Sequence, residues 1–273
     1  MNNHNSIRLM TSNVLGNWNS GFIENRDDKM AEIYLDVKPD IIAMQEFSKR
    51  YRTQDGDLLS LLSPHYKEVE TVATNRAHNN STPIVYRADR FQVVDHGFHF
   101  FADGICDNSK SITWVVFQEK NNGKRFAYAS THFIHTSSPA RMIDGDQAKL
   151  VCDAITAHYN CPMFIGGDFN CSKRTVEYEH LVNLGFINVY DRVKDATKIK
   201  SYHPYPVWDD EKKQYIPSPE AADGDYMDSI DHIFYYGKYD FIPAIDRYEL
   251  VTDERAWIAS DHYPVFVDIT LRD

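Results

Sequence analysis

Pro162-Met163-Phe164-Ile165-Gly166-Gly167-Asp168-Phe169-Asn170 is an apolar run that stops at two glycines and then at a carboxylate and an amide. A short continuous apolar segment bounded by a proline and by glycines predicts a buried strand over Pro162–Gly167. Asp168 and Asn170 stand two apart, so an extended backbone sends both side chains to one side. A carboxylate beside phenylalanine and isoleucine costs several kcal/mol, on the order of what burying an uncompensated charge costs, unless donors or a cation answer it.

The same plan recurs outward from this segment. The predicted strand Ile7–Val14 carries Asn13 near its end, and Asp40–Glu46 ends in Glu46. His132 closes Phe126–Phe133, and Ser260-Asp261-His262 precedes a closing strand over Tyr263–Leu271. A sixth segment, Ser229-Ile230-Asp231-His232-Ile233-Phe234, puts its acid at the start of a strand predicted over Ser229–Tyr236. Taken singly, each residue has a plain structural explanation. Asn13 can turn a strand end, Glu46 can cap one, His132 can be a hydrogen-bonded core histidine, and Asp231 can cap a turn. Acids, amides and histidines placed beside apolar strands in six segments point instead to an assembled metal site. Carboxylates and amides suit Mg²⁺ or Mn²⁺ better than zinc, which prefers histidine and cysteine.

Between these segments, Met30, Ile33, Tyr34 and Val37 fall at i, i+3, i+4 and i+7 and predict a helix over Phe22–Val37. A second helix is expected over Asp57–Leu62. Ser138-Pro139 predicts an N-cap with proline at the first helical position, opening a helix with Ala148, Val151, Cys152 and Ile155 on one face. A fourth helix over Thr175–Leu184 stops at Gly185. Strands are predicted near Tyr66–Val72, Pro83–Tyr86, Phe91–His96 and Thr113–Gln118. Residues 203–228, with four prolines and several aromatics among acids, read as a long loop. Strands outnumber helices and several join as hairpins, which predicts layered sheets flanked by helices rather than a doubly wound sheet. No domain boundary is visible, so residues 1–273 read as a single domain.

Composition narrows the partners. The chain has 273 residues with 29 Lys+Arg against 40 Asp+Glu, a formal charge of −11. That balance argues against sequence-independent duplex binding, which normally uses a wide basic face. No apolar run approaches the ~20 residues needed to span a bilayer. The polar start Met1–Ser6 lacks a signal-peptide pattern, so a cytoplasmic location is expected unless such a peptide has been trimmed. The cysteines Cys106, Cys152, Cys161 and Cys171 form no C-x-x-C pair and read as reduced, mostly buried side chains. Nothing in the sequence calls for an obligate protein partner.

The segments Ser12-Asn13-Val14, Met44-Gln45-Glu46, Ser130-Thr131-His132-Phe133, Gly166-Gly167-Asp168-Phe169-Asn170, Ser229–Phe234 and Ser260-Asp261-His262-Tyr263-Pro264-Val265 together resemble, in order, the endonuclease/exonuclease/phosphatase superfamily. These are metal-dependent phosphoesterases that share the deoxyribonuclease I fold, and the likeness is to a bacterial branch of undetermined substrate. The resemblance implies an α/β (α+β) four-layered α/β/β/α sandwich, deoxyribonuclease I-like, and hydrolysis of a phosphate ester. It implies Glu46 as principal metal ligand, with Asn13 supporting it and Asp261 contributing. It implies Asp168 as the group that orients or deprotonates water, Asn170 as a holder of phosphate or nucleophile, and His132 as a phosphoryl contact. His262 would pair with Asp231. His232, next to Asp231 on a strand, should face the other way.

Substrate is less determined, because one fold hosts many substrates. His135 and Arg141, after His132, and Arg76 with His78, in a polar segment, are candidate substrate contacts. The aromatics of 203–228, with Trp208, are candidates to stack a base or a sugar. The favoured reading is a Mg²⁺- or Mn²⁺-dependent phosphodiesterase of nuclease type, acting by in-line attack of water on a small or single-stranded substrate. A phosphomonoesterase on a sugar or inositol phosphate is the alternative. A catalytically silent binding module of the same fold and a metal-independent glycosidase are the rivals from other classes.

Overall fold

A computed structural model describes residues 6–16, 26–47, 57–70, 81–102, 110–218, 224–237 and 242–272. The chain runs β1 (Ser6–Asn13), α1 (Arg26–Val37), β2 (Ile41–Gln45), α2 (Leu58–Leu62), β3 (Lys67–Glu68) and β4 (Ile84–Tyr86). It continues with β5 (Phe91–Phe100), β6 (Ser111–Glu119), β7 (Arg125–His132), α3 (Ser138–Tyr159), β8 (Met163–Asp168) and α4 (Val176–Asn183). Then come β9 (Ile187–Asn188), β10 (Val207–Asp209), β11 (Gln214–Ile216), β12 (Asp231–Tyr236), β13 (Ala244–Leu250), α5 (Glu254–Ala259) and β14 (Val265–Thr270).

Two six-stranded mixed sheets stack face to face, ordered β13-β14-β1-β2-β4-β3 and β5-β6-β7-β8-β12-β9. The alternation of side chains along each strand explains the layers. In β8, Phe164 joins the core shared by both sheets, whereas Met163 and Ile165 join a second core with Cys152 of α3 and Leu181 of α4. In β12, Ile233 and Tyr235 point to the first core and Phe234 and Tyr236 to the second. That period of two places Asp168 and Asp231 on the inter-sheet side, level with each other by register. His132 lies opposite Asp168 across the parallel β7–β8 pair. Arg26, Met30, Ile33 and Tyr34 of α1 are buried, as are Ala256 and Trp257 of α5, and the two helices pack on each other.

Gly166 and Gly167 are needed for this approach. A Cβ on Gly166 would sit 2.3 Å from the Tyr128 hydroxyl, and one on Gly167 would sit 2.2 Å from the Thr131 carbonyl oxygen. Tyr128 uses that hydroxyl to donate to the Met10 carbonyl across the sheets at 2.9 Å.

Several expectations are corrected. The α3 N-cap is Ser137, whose side chain accepts from the Ala140 N–H, so the helix opens one residue earlier than the Ser138-Pro139 signal suggested. Only Lys67–Glu68 of the strand expected at Tyr66–Val72 pairs within the described residues. Residues 203–228 are not one loop: Val207–Asp209 and Gln214–Ile216 form a hairpin, and Tyr226–Asp228 is a 3-10 turn. A strand, β13, and a helix, α5, stand between the two strands expected to close the chain in succession. The first residues of the helix expected at Phe22–Val37 lie outside the described residues, as do Arg76, His78 and Cys106.

Candidate active site

The carboxyl ends of β1, β2, β7 and β8 and the start of β12 meet at one end of the inter-sheet seam. Asp168 and Asp231 are 2% and 1% exposed there, and Asn13, His132 and His262 are buried with them. Glu46 and Asn170 sit just past their strands with φ of +56° and +49°. That left-handed conformation is costly for a side-chain-bearing residue, least so for Asn, and here it turns both side chains back into the seam.

The side chains interlock. Asn13 Nδ2 donates to Glu46 Oε1 at 3.3 Å and to Asp168 Oδ2 at 3.1 Å, while its Oδ1 accepts from the Leu15 N–H at 3.0 Å. Asn13 thus steadies the two carboxylates as a donor. The Gly16 N–H donates to Glu46 Oε2 at 2.8 Å. Asn170 donates its backbone N–H to Asp168 Oδ1 and its Nδ2 to the Phe133 carbonyl, each at 2.9 Å. His262 Nδ1 lies 2.8 Å from Asp231 Oδ2, which also accepts from Ser201 Oγ at 2.7 Å. Behind the acids, Thr11 donates to Gln45 Oε1, and Gln45 donates to Ser130 Oγ. Ser130 in turn donates to the Met44 carbonyl, so this buried polar layer is satisfied.

Charge is distributed unevenly over these groups. Burial, together with the Asp231 charge, pushes Asp168 up to about 7 against His262, the Asn170 N–H and Lys110. Burial also works to raise Glu46, but the Gly16 N–H, the His262 charge, Asn13 and Lys110 hold it below the ordinary carboxylate range. Burial and then Lys110 drive His132 well down, so its imidazole is neutral. For His262 burial pulls the same way, yet Asp231 and Asp261 outweigh it and hold the ring well above its ordinary value.

Among the described residues, two groups could hold a cation. Glu46, His132 and Asp168 bring one ligand atom each within 4.8 Å of one another, and so do Asp168, Asp231 and His262. Asp231 Oδ1 is buried without a hydrogen-bond partner. Two buried carboxylates that share a wall, with Asp168 pushed up beside the Asp231 charge, are a poor arrangement for an empty site and a good one for a divalent ion. The residues fit Mg²⁺ or Mn²⁺. Asp261 belongs to neither group; it is half-buried, with Oδ1 4.0 Å from His262 Nε2.

His232 points away, as its neighbour's orientation requires. Its Nε2 approaches the Cys171 carbonyl at 3.0 Å, and its Nδ1 faces Asn188 and Tyr226. Arg141, expected as a substrate contact, is placed by the structure at the start of α3. Its guanidinium donates to Glu177 at 2.6 Å and to the Ile134 and His135 carbonyls, and so braces the loop. His135 on that loop is exposed. Two participants escaped the sequence reading. Ser201 carried no signal, whereas Lys110 immediately precedes the strand residue that pairs with His132 in register. Tyr202, bridged to His262 by backbone pairing, leaves its ring 6.4 Å from the imidazole.

The profile of the endonuclease/exonuclease/phosphatase family matches residues 10–262. The chain belongs to this family. Members of the endonuclease/exonuclease/phosphatase family are hydrolases acting on phosphate esters. A family protein from Bacteroides vulgatus superposes with a TM-score of 0.73 at 22% identity, covering 98% of this chain and 99% of that one. A mannosyl-6-phosphatase of Bacteroides thetaiotaomicron gives 0.73 at 19% identity over 97% and 100% of the two chains. D. rerio TDP2, complexed with a single-strand DNA product, gives 0.69 at 16% identity over 97% and 99%. At these identities the likeness establishes the deoxyribonuclease I-like fold alone. No curated protein sequence matches the chain. Among the described residues no helix is long and apolar enough to cross a membrane.

Proposed function

We propose that this protein is a Mg²⁺- or Mn²⁺-dependent phosphodiesterase of nuclease type, acting on a small or single-stranded phosphate ester. The observation that carries the reading is buried Asp168 standing between half-buried Glu46 and buried Asp231, with Asp231 Oδ1 unpartnered and Asp168 pushed up to about 7. Glu46 with Asp168 beside it would hold the ion, steadied by Asn13, with Asp261 at the margin. When bound, such an ion polarises the phosphoryl group and offsets its negative charge. Asp168 orients the attacking water and takes its proton as the new oxygen–phosphorus bond forms. Asn170 fixes the Asp168 carboxylate through its backbone and borders the phosphate. His132 contacts a phosphoryl oxygen. The cationic His262, aligned by Asp231, stabilises the charge on the opposite bond and protonates the departing oxygen as that bond breaks.

A second reading is removal of a terminal phosphate from a sugar phosphate. It is supported by the structural likeness to a mannosyl-6-phosphatase. Hydrolysis of bis-p-nitrophenyl phosphate and of p-nitrophenyl phosphate, each with Mg²⁺, Mn²⁺ or EDTA, tests both. Metal-dependent release that EDTA abolishes is expected, with the diester preferred; a monoester preference selects the second reading. Metal-independent release, or Mn²⁺ binding that Glu46→Ala leaves unchanged by calorimetry, would overturn the metal-site assignment.

A further inference from the structure

We infer that Ser201 is the positioning residue of the Asp231–His262 pair, its hydroxyl fixing which carboxylate oxygen meets the imidazole. The inference deepens the phosphoester reading above and rests on it for the role of His262.

Ser201 is fully buried, at 0% exposure, and its hydroxyl is fully used. A serine Oγ has one proton to give and two lone pairs to fill. Here it accepts from the Ile230 N–H at 3.1 Å and from the Asp231 N–H at 3.0 Å, and it donates to Asp231 Oδ2 at 2.7 Å. With both lone pairs taken, the proton has one direction left, and that direction is the carboxylate. One hydroxyl thus grips the Asp231 side chain and the backbone that carries it.

The same oxygen, Oδ2, lies 2.8 Å from His262 Nδ1, while Oδ1 has no hydrogen-bond partner. The last torsion of an aspartate is broad and two-fold, so a single imidazole contact does not set the plane of the carboxylate. A second donor on the same oxygen does. Ser201 is also tied to the other half of the pair through its main chain. The Tyr263 N–H donates to the Ser201 carbonyl and the His203 N–H to the Asp261 carbonyl, each at 2.8 Å, on either side of the Tyr202–His262 bridge. Asp231 and His262 come from segments distant in the chain, and both take their position from this one residue. A reacting group misplaced by about 1 Å can cost about 10²-fold in rate, which makes such a tie consequential.

The test uses the full chain with bis-p-nitrophenyl phosphate and Mn²⁺. Ser201→Ala should lower kcat by about 10–100-fold, the usual loss when the group that orients an active side chain is removed, with KM within about twofold. Ser201→Thr keeps the hydroxyl and should stay within about threefold of the wild type. In an Asp231→Ala background there is no carboxylate left to orient, so adding Ser201→Ala should change kcat by less than about twofold. A serine that only supports the fold would lower kcat by the same factor in both backgrounds, and that result overturns the inference. So does a folded Ser201→Ala with wild-type kcat.

If Ser201→Ala does not fold, Ser201→Cys takes its place, because a thiol fills the site but donates weakly. Its kcat should fall while that of Ser201→Thr holds; a cysteine variant with wild-type kcat refutes the role. Should the wild type hydrolyse neither ester, the phosphoester reading falls, whereas crystal structures of the wild type and the variant still judge Ser201 alone. An Asp231 carboxylate or a His262 ring turned away from its partner supports positioning, and a pair that keeps its 2.8 Å contact refutes it.

Discussion

The two ends of the same stacked sheets both bury acids, and they treat them in opposite ways. At the far end, Asp40 and Glu119 are 5% and 2% exposed and are tied by a single guanidinium. Arg90 donates to Asp40 Oδ2 at 2.7 Å and to Glu119 Oε1 at 2.6 Å, joining one sheet to the other, and the Arg8 N–H adds a bond to Asp40. At the near end Asp168 stands between Glu46 and Asp231, with Asn13 and His262 beside them, and Asp231 Oδ1 is left over. Burial of acids alone therefore does not mark a site. What marks one is a buried carboxylate oxygen, here Asp231 Oδ1, that no protein group answers with a hydrogen bond among the described residues.

The largest expected effect breaks the near end. Asp168→Ala should lower hydrolysis of bis-p-nitrophenyl phosphate by about 10²–10⁴-fold, the range for a lost general base. Urea unfolding without metal should show its stability equal to or above the wild type, since a strained buried charge has gone. A clear loss of stability would mean that the near-end acids are structural after all. The matching change at the far end is Arg90→Met. It should cost about 3–5 kcal/mol by urea unfolding, because two buried carboxylates lose the guanidinium they share. Calorimetry at low temperature should find Mn²⁺ affinity in the remaining folded protein unchanged.

A smaller effect tests the seam itself. Gly167→Ala should destabilise by about 1–3 kcal/mol through overpacking against the Thr131 carbonyl. It should also lower kcat, because Asp168 follows directly. Smaller again is the Arg141–Glu177 brace. Burial works to raise Glu177, but the helix-start N–H, Ser138 and Arg141 outweigh it and bring the carboxyl down to about 2. A depressed acid stabilises the fold above its ordinary value, near 4.5, and that contribution is lost as pH falls towards about 2. Glu177→Gln should thus cost about 1 kcal/mol at pH 7, with the gap to wild type closing below pH 4.5 in acid melts. Least of all, Trp208→Ala on the half-exposed hairpin should change stability by less than about 0.5 kcal/mol.

Much of this was legible in the residues. Strand-end acids and amides are visible because their polarity interrupts apolar runs, and period-two alternation correctly sends His232 away from Asp231. The helix caps at Asp57 and Thr175 and the left-handed Gly185 after α4 likewise carry local signatures. Pairings between distant segments are not written locally. Lys110 enters only through its register with His132, and Ser201 only through the path of the chain past Asp231. Arg141 has the composition of a phosphate contact, and its engagement by Glu177 depends on how α3 lies against α4. The strand β13 has Arg247 and Glu249 among its apolar residues and a bulge between Ile245 and Arg247, which blur the alternation that reveals the other strands.

Arg90 spans both sheets away from the chemistry, and so lets the two ends accumulate heritable change separately. The hairpin that holds Trp208, which follows the Tyr202 bridge to His262 along the chain, can be lengthened, shortened or exchanged without touching the clamp that keeps the sheets in register. A library randomised only in that hairpin should retain its fraction of folded members. The same library with Arg90 included should lose most of its members before selection begins.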